Sequence, residues 1–323
     1  MKIGTVALAL ASLLLAAPAG AQTYKAPRTA HGQPDLQGVW TNEFMPLPLE
    51  ARPDTPSLVV TDAESKALAL QFAKEIHAMK SLELDPEIHD NIDEMAPRGL
   101  GVVKGQRRTR QVVAPESGRL PYTPQARAES TLVDNLMRLQ AVPPFATNNP
   151  EDRPNAERCL VGQGQPPIAN PAAMNPRNIV QTRDQVVIQS EYGNDVRIIS
   201  FTDKHAAQNL GSPLGSSIAR WEGETLVVET VGMPAKDRIR PLPTIIVPAS
   251  ATVIERFTRV GPDELLYQYT IVDPTAYSAP WLAEYSLYRS KHSMLEFACH
   301  EGNYSLGNIL AGARGAEGGA VRP

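Results

Sequence analysis

Long apolar runs are scarce in this chain, and the one present lies at its start. Met1-Lys2 gives a short positive opening, and an apolar run follows from Val6 to Ala17. Ala19-Gly20-Ala21 then has the small-x-small pattern of a cleavage site. Residues 1–21 therefore read as a secretory signal peptide, with the mature chain starting at Gln22. The run is too short to span a bilayer comfortably and no second one follows, so no membrane span is expected. Cysteine is equally scarce: Cys159 and Cys299 are the only two in 323 residues. Neither follows the apolar run closely, which excludes a lipoprotein acylation site. Charge of one sign is not concentrated either: 31 Lys and Arg stand against 35 Asp and Glu. With no long basic block, nucleic acid is not expected as a partner. The nearest approach, Lys104 to Arg110, reads as a solvated loop.

Several catalytic signatures are also missing. Gly211-Ser212-Pro213-Leu214-Gly215 fails the spacing of the serine-hydrolase elbow. There is no H-E-x-x-H. His300 and Glu301 are adjacent, so on an extended chain they diverge and do not chelate one ion together. No glycine-rich nucleotide fingerprint follows a strand. The reading is a site with no metal and no cofactor.

Proline, by contrast, is abundant at 29 residues, and it crowds the first half. There Asp35 to Trp40 reads as one short strand. Thr61-Asp62-Ala63-Glu64 is a capping box ahead of a helix with Leu68, Phe72, Ile76 and Met79 on one face. Thr123-Pro124 opens a second helix with Leu132, Leu136 and Leu139 as its stripe. Residues 22–158 thus read as a wrapping segment with two helices around a core supplied elsewhere.

From Asn178 the pattern changes to strands separated by short turns: 179–182, 185–191, 196–201, 219–221, 225–231, 252–260, 265–272, 281–289 and 294–300. The fold class is mainly β, an antiparallel meander that is barrel-like (lipocalin- or calycin-like), because closure removes exposed edges. A two-sheet sandwich is the alternative. The barrel is assigned to 159–310 and a flexible tail to 311–323. Polar residues interrupt several strands, among them Arg197, Glu229, Glu255 and Arg256. Most are expected to face water, and a minority a cavity.

In an oxidising compartment an even cysteine pair forms a bridge, here Cys159–Cys299. The alternative is two free thiols, with Cys299 a nucleophile beside His300. The six-residue stretch Cys299-His300-Glu301-Gly302-Asn303-Tyr304 is the main candidate for chemistry. His300 has the intrinsic pKa of a general acid or base. Glu301 or Glu296 would assist it, and Tyr304 would donate a proton. Arg197 and Asn303 would bind and polarise a substrate.

Five segments together resemble a large, mostly uncharacterised family of exported proteins from environmental Gram-negative bacteria. They are Pro34 to Trp40, Arg158-Cys159-Leu160, Arg220 to Thr230, Glu255 to Arg259, and Cys299 to Tyr304. The resemblance implies a periplasmic or secreted setting. That family often shows His-Asp-x-Arg where this chain has Asn194-Asp195-Val196-Arg197, which places Asn194 and Asp195 among the substrate-binding candidates. Gly38-Val39-Trp40 is also similar to the G-x-W of lipocalins. The expectation is an exported, cofactor-independent lyase, isomerase or hydrolase acting on a small oxygenated molecule, such as a sugar derivative or plant aromatic. The first alternative is a lipocalin-like binding protein whose pocket is lined by Trp281, Tyr267, Tyr269 and Tyr285. The second is a structural or envelope-interaction protein.

Overall fold

In the computed structural model, the residues described are 24–80, 91–138, 149–153, 158–160, 164–169, 175–206, 212–235, 239–240 and 244–317. The predicted signal segment lies outside them. Nine strands close into a barrel: β1 Gly38–Thr41, β2 Arg177–Gln181, β3 Gln185–Ser190, β4 Val196–Ser200, β5 Ser216–Glu222, β6 Thr225–Val231, β7 Thr252–Arg259, β8 Glu264–Val272 and β9 Leu282–Arg289. They lie side by side in chain order, and β1 meets β9 to complete the ring through Trp40↔Arg289 and Thr41↔Tyr288.

Nine is an odd number, and this has a topological consequence. Strand directions cannot alternate all the way round an odd ring, so one neighbouring pair must be parallel. That pair is β4–β5, joined at a single register point, Ser200↔Ile218. A parallel pair needs a crossover rather than a tight turn, and residues 201–215 supply it. The expected meander therefore holds everywhere except at this seam.

The segment 294–300, expected as the last strand, is not a strand. Its would-be partner has no free edge. One side of β9 pairs with β8, and the other is shared by β1 and the short strand Val112–Ala114. The short N-terminal strand takes the place that 294–300 was expected to fill. Trp40 of β1 is fully buried, donates from Nε1 to the Leu36 carbonyl at 2.8 Å, and lies under the Arg289 guanidinium at 4.6 Å. Gly38 sits at φ +122°, and a β-carbon there would fall 2.4 Å from Nη1 of Arg289. The backbone conformation is what asks for glycine in G-x-W, since the flexible end of Arg289 could move aside for a β-carbon.

Four helices flank the barrel: α1 Asp62–Lys80, α2 Asn91–Met95, α3 Pro124–Arg138 and α4 Tyr304–Glu317. The capping box at α1 forms reciprocally. The Thr61 amide donates to Glu64 Oε2 at 2.8 Å, and the Glu64 amide to Thr61 Oγ1 at 3.2 Å. At α3 the Ala126 amide donates to Thr123 Oγ1 at 3.3 Å. Leu132 of the expected stripe is exposed, Ala126 and Ser130 of α3 are buried, and the side chains of Leu136 and Leu139 lie outside the described residues. Helix α4 runs past residue 310, where the sequence reading begins a tail. The expected basic loop at 104–110 is instead a hairpin of Val102–Val103 and Gln106–Arg108, with Arg110 buried against backbone carbonyls of Pro56 and Val112.

Alternation along the strands sends one set of side chains inward. From β7 these are Val253, Glu255, Phe257 and Arg259, and from β8 Leu265, Tyr267, Tyr269 and Ile271. They join Ile179, Val186, Ile188, Ile199, Leu226 and Val228 in a continuous core.

Candidate functional site

At the centre of the barrel a polar network sits inside this apolar packing. Arg197 on β4 and Glu255 on β7 form a bidentate ion pair, with Nη1–Oε1 at 3.1 Å and Nη2–Oε2 at 2.5 Å. Their side chains are 2% and 0% exposed. Tyr267 donates its hydroxyl to Glu255 Oε1 at 2.8 Å and accepts the Ile168 amide at 2.8 Å. Tyr285 donates to the Ile168 carbonyl at 2.6 Å. Nη2 of Arg197 also reaches the hydroxyls of Ser217 and Thr230, each at 3.3 Å. Burial, followed by the Glu255 charge, holds the Tyr267 phenol neutral well above its ordinary range. Burial is likewise the largest cause that raises the phenols of Tyr269 and Tyr285.

The aromatic residues expected to line a ligand cavity fill the space themselves. Tyr267 packs on Tyr269 and Tyr285 at 5.5 and 5.0 Å between ring centres, and Trp281 packs on Tyr269 and Tyr277 at 5.8 and 5.2 Å. Arg197, expected to bind substrate, is held by Glu255. Both belong to a packed, hydrogen-bonded interior.

The C-terminal candidates lie elsewhere. His300, Glu301 and Glu296 are exposed, and Tyr304 is 78% exposed as the first residue of α4. Asn303 caps that helix, its Oδ1 accepting the Leu306 amide at 3.4 Å and its Nδ2 reaching Cys159 Sγ at 3.3 Å. The Cys159–Cys299 disulfide is formed, with α-carbons 5.8 Å apart, so Cys299 is not a free nucleophile. Asn194 takes a left-handed conformation and donates to the Phe297 carbonyl at 2.9 Å, while buried Asp195 accepts the Gly164 amide at 2.8 Å. This stretch is a braced surface segment. It does not bring His300 together with Arg197.

A different histidine is set in a groove. At the β4–β5 seam the described parts of the crossover, 201–206 and 212–215, border an open groove of about 380 Å³ on the outer face of the barrel. Ile198, Ile218 and Val231 line it from the strands, and Thr202, Lys204 and His205 from the crossover. Glu229 of β6 stands directly opposite Ile218 in register, and its carboxylate lies 3.2 Å from Nε2 of His205. A carboxylate only accepts, so Nε2 carries the shared hydrogen and Nδ1 of the neutral ring carries the lone pair. Nδ1 is buried and has no hydrogen-bond partner among the described residues. Crossover residues obey no strand or helix periodicity, so no pattern marked His205 as different from the other histidines. The one legible hint was Glu229, the one charged residue of β6.

Among the described residues no set of three or more His, Cys, Asp or Glu is placed to hold a metal ion, and no helix is long and apolar enough to cross a membrane. No protein-family model and no curated protein matches the chain.

Proposed function

We propose that this protein is an exported enzyme that uses acid/base chemistry on a small oxygenated molecule, with its site in the seam groove. The observation that carries the reading is the His205–Glu229 pair. Glu229 orients the imidazole through Nε2, and the lone pair on Nδ1 has no partner among the described residues. This is the arrangement a general base requires. Hydroxyls of Ser200, Thr202, Ser212 and Ser216 on the groove wall supply partners for an oxygenated substrate. The reaction class is proton transfer in a lyase, isomerase or hydrolase. The Cys159–Cys299 disulfide and the signal-like start of the sequence support export.

The test is depletion of small oxygenated compounds from a defined mixture by the purified protein, followed by kinetics on the compound consumed. His205→Gln keeps the volume and a hydrogen bond to Glu229 but removes the base. It is expected to lower kcat by about 10²–10⁴-fold. Saturable binding with no product would make the protein a binding module instead.

A further inference from the structure

The groove does not end at the seam. Ile198 forms part of its lining and is 62% exposed on the outer face of β4. Register carries that apolar surface onward, because Ile198 stands opposite Val187 on β3, and Val187 opposite Val180 on β2. Val180 and, beside Ile198, Val196 are also exposed. Neighbouring strands lie about 4.8 Å apart, so the row runs about 10 Å from the groove's edge.

The chemistry of this face differs from that of the adjoining one. The outward residues of β2, β3 and β4 are Asn178 and Val180, then Gln185, Val187 and Gln189, then Val196, Ile198 and Ser200. None carries a charge. Across the seam, the outer face of β5 to β7 holds the cluster Arg220–Glu222–Arg256, with ion pairs of 2.8 Å. An exposed sheet face without charge, centred on aliphatic side chains and continuous with a groove, is the kind of surface that an apolar ligand body covers. At the groove end, Lys204 is the one lysine or arginine among the lining residues, none of which is acidic, and the neighbouring Glu229 carboxylate is engaged by Nε2 of His205.

We propose that the ligand is an elongated amphipathic acid. Its anionic, oxygen-bearing head sits at Lys204 and His205, and its apolar body lies over Ile198, Val187 and Val180. This rests on the groove being the functional site, and it names the substrate class for it. Head and body are read by different elements, the crossover and the sheet, so a compound with only one of them binds weakly.

Titration calorimetry with decanoate below its micellar concentration, set against acetate, tests this on the full mature chain. Decanoate is expected to bind at least 100-fold more tightly than acetate. Ile198→Lys and Val180→Lys place a charge on an exposed face and leave the core untouched. They should weaken decanoate at least 10-fold and about 3-fold, with unchanged circular dichroism. Equal affinity for both acids, or decanoate affinity indifferent to Ile198→Lys, overturns the proposal. So does sedimentation showing a dimer abolished by Ile198→Lys while decanoate is inert, because the strip is then an interface between copies. His205-dependent turnover of a short polar compound, with decanoate inert, would sink only this proposal. Decanoate binding without any His205-dependent turnover would sink the enzyme reading and leave the ligand class standing.

Discussion

Replacing Arg197 with methionine separates a structural role from a ligand-binding one. Methionine keeps most of the length and removes the charge. Glu255 would then remain at 0% exposure with Tyr267 as its one remaining donor among the bonds described above. Removing one partner of a buried ion pair costs about 3–5 kcal/mol, because the other charge is left uncompensated. The lost contacts to Ser217 and Thr230 add little, since those hydroxyls still bond each other at 2.8 Å. Against a total stability of about 5–15 kcal/mol, this is a large fraction. The double variant Arg197→Met/Glu255→Leu removes both charges and should cost much less than the sum of the singles. Urea unfolding of the wild type, both singles and the double gives the coupling directly. A cost below about 1 kcal/mol for Arg197→Met, or additive single effects, would refute the reasoning. A folded Arg197→Met protein that lost only substrate affinity would return Arg197 to the binding role its sequence position suggests.

Two further outcomes follow from the interior and the disulfide. Six tyrosines, Tyr122, Tyr267, Tyr269, Tyr277, Tyr285 and Tyr288, have phenols pushed upward, with burial the largest cause in each. Their folded values lie above the unfolded value of about 10, so the stability tied to the neutral phenols is intact below that pH and is lost as pH rises past it. Phenolate absorbance from these six should appear together with loss of the fold in an alkaline titration; gradual ionisation with the fold intact would contradict the burial argument. Cys159→Ser/Cys299→Ser opens a loop with a sequence separation of 140. The loop-entropy relation gives about 5 kcal/mol for such a loop, and measured losses run about 2–5 kcal/mol. A loss under about 1 kcal/mol in chemical denaturation would mean that the reduced chain stays constrained by other contacts.

Much of the framework was legible because local rules and tertiary packing agree. The capping box at Thr61–Glu64, the Thr123-Pro124 helix start and eight of the nine barrel strands follow from turn residues and period-two alternation. The cysteine pairing followed from composition. Where the reading went astray, partner availability decided. Residues 294–300 alternate as a strand should, yet every edge of β9 is occupied, and alternation alone does not reveal an occupied edge. The parallel seam comes from the parity of the strand count, which depends on β1 joining the ring from over a hundred residues away. Glu255 offered a readable sign, since it shares a strand face with Val253 and Phe257 and so points inward. Its partner Arg197 lies 58 residues away, which no local pattern connects. His205 lies in the crossover created by the seam, so it could not be singled out before the ring was known to close with nine strands.

The central claim is that His205, and not His300, does the chemistry. The most direct measurement is the side-by-side turnover of His205→Gln and His300→Ala on a substrate the wild type consumes, each variant verified as folded. The account predicts a loss of at least 100-fold for His205→Gln and less than 2-fold for His300→Ala. Full activity in His205→Gln with a collapse in His300→Ala would contradict it and return the site to the C-terminal segment.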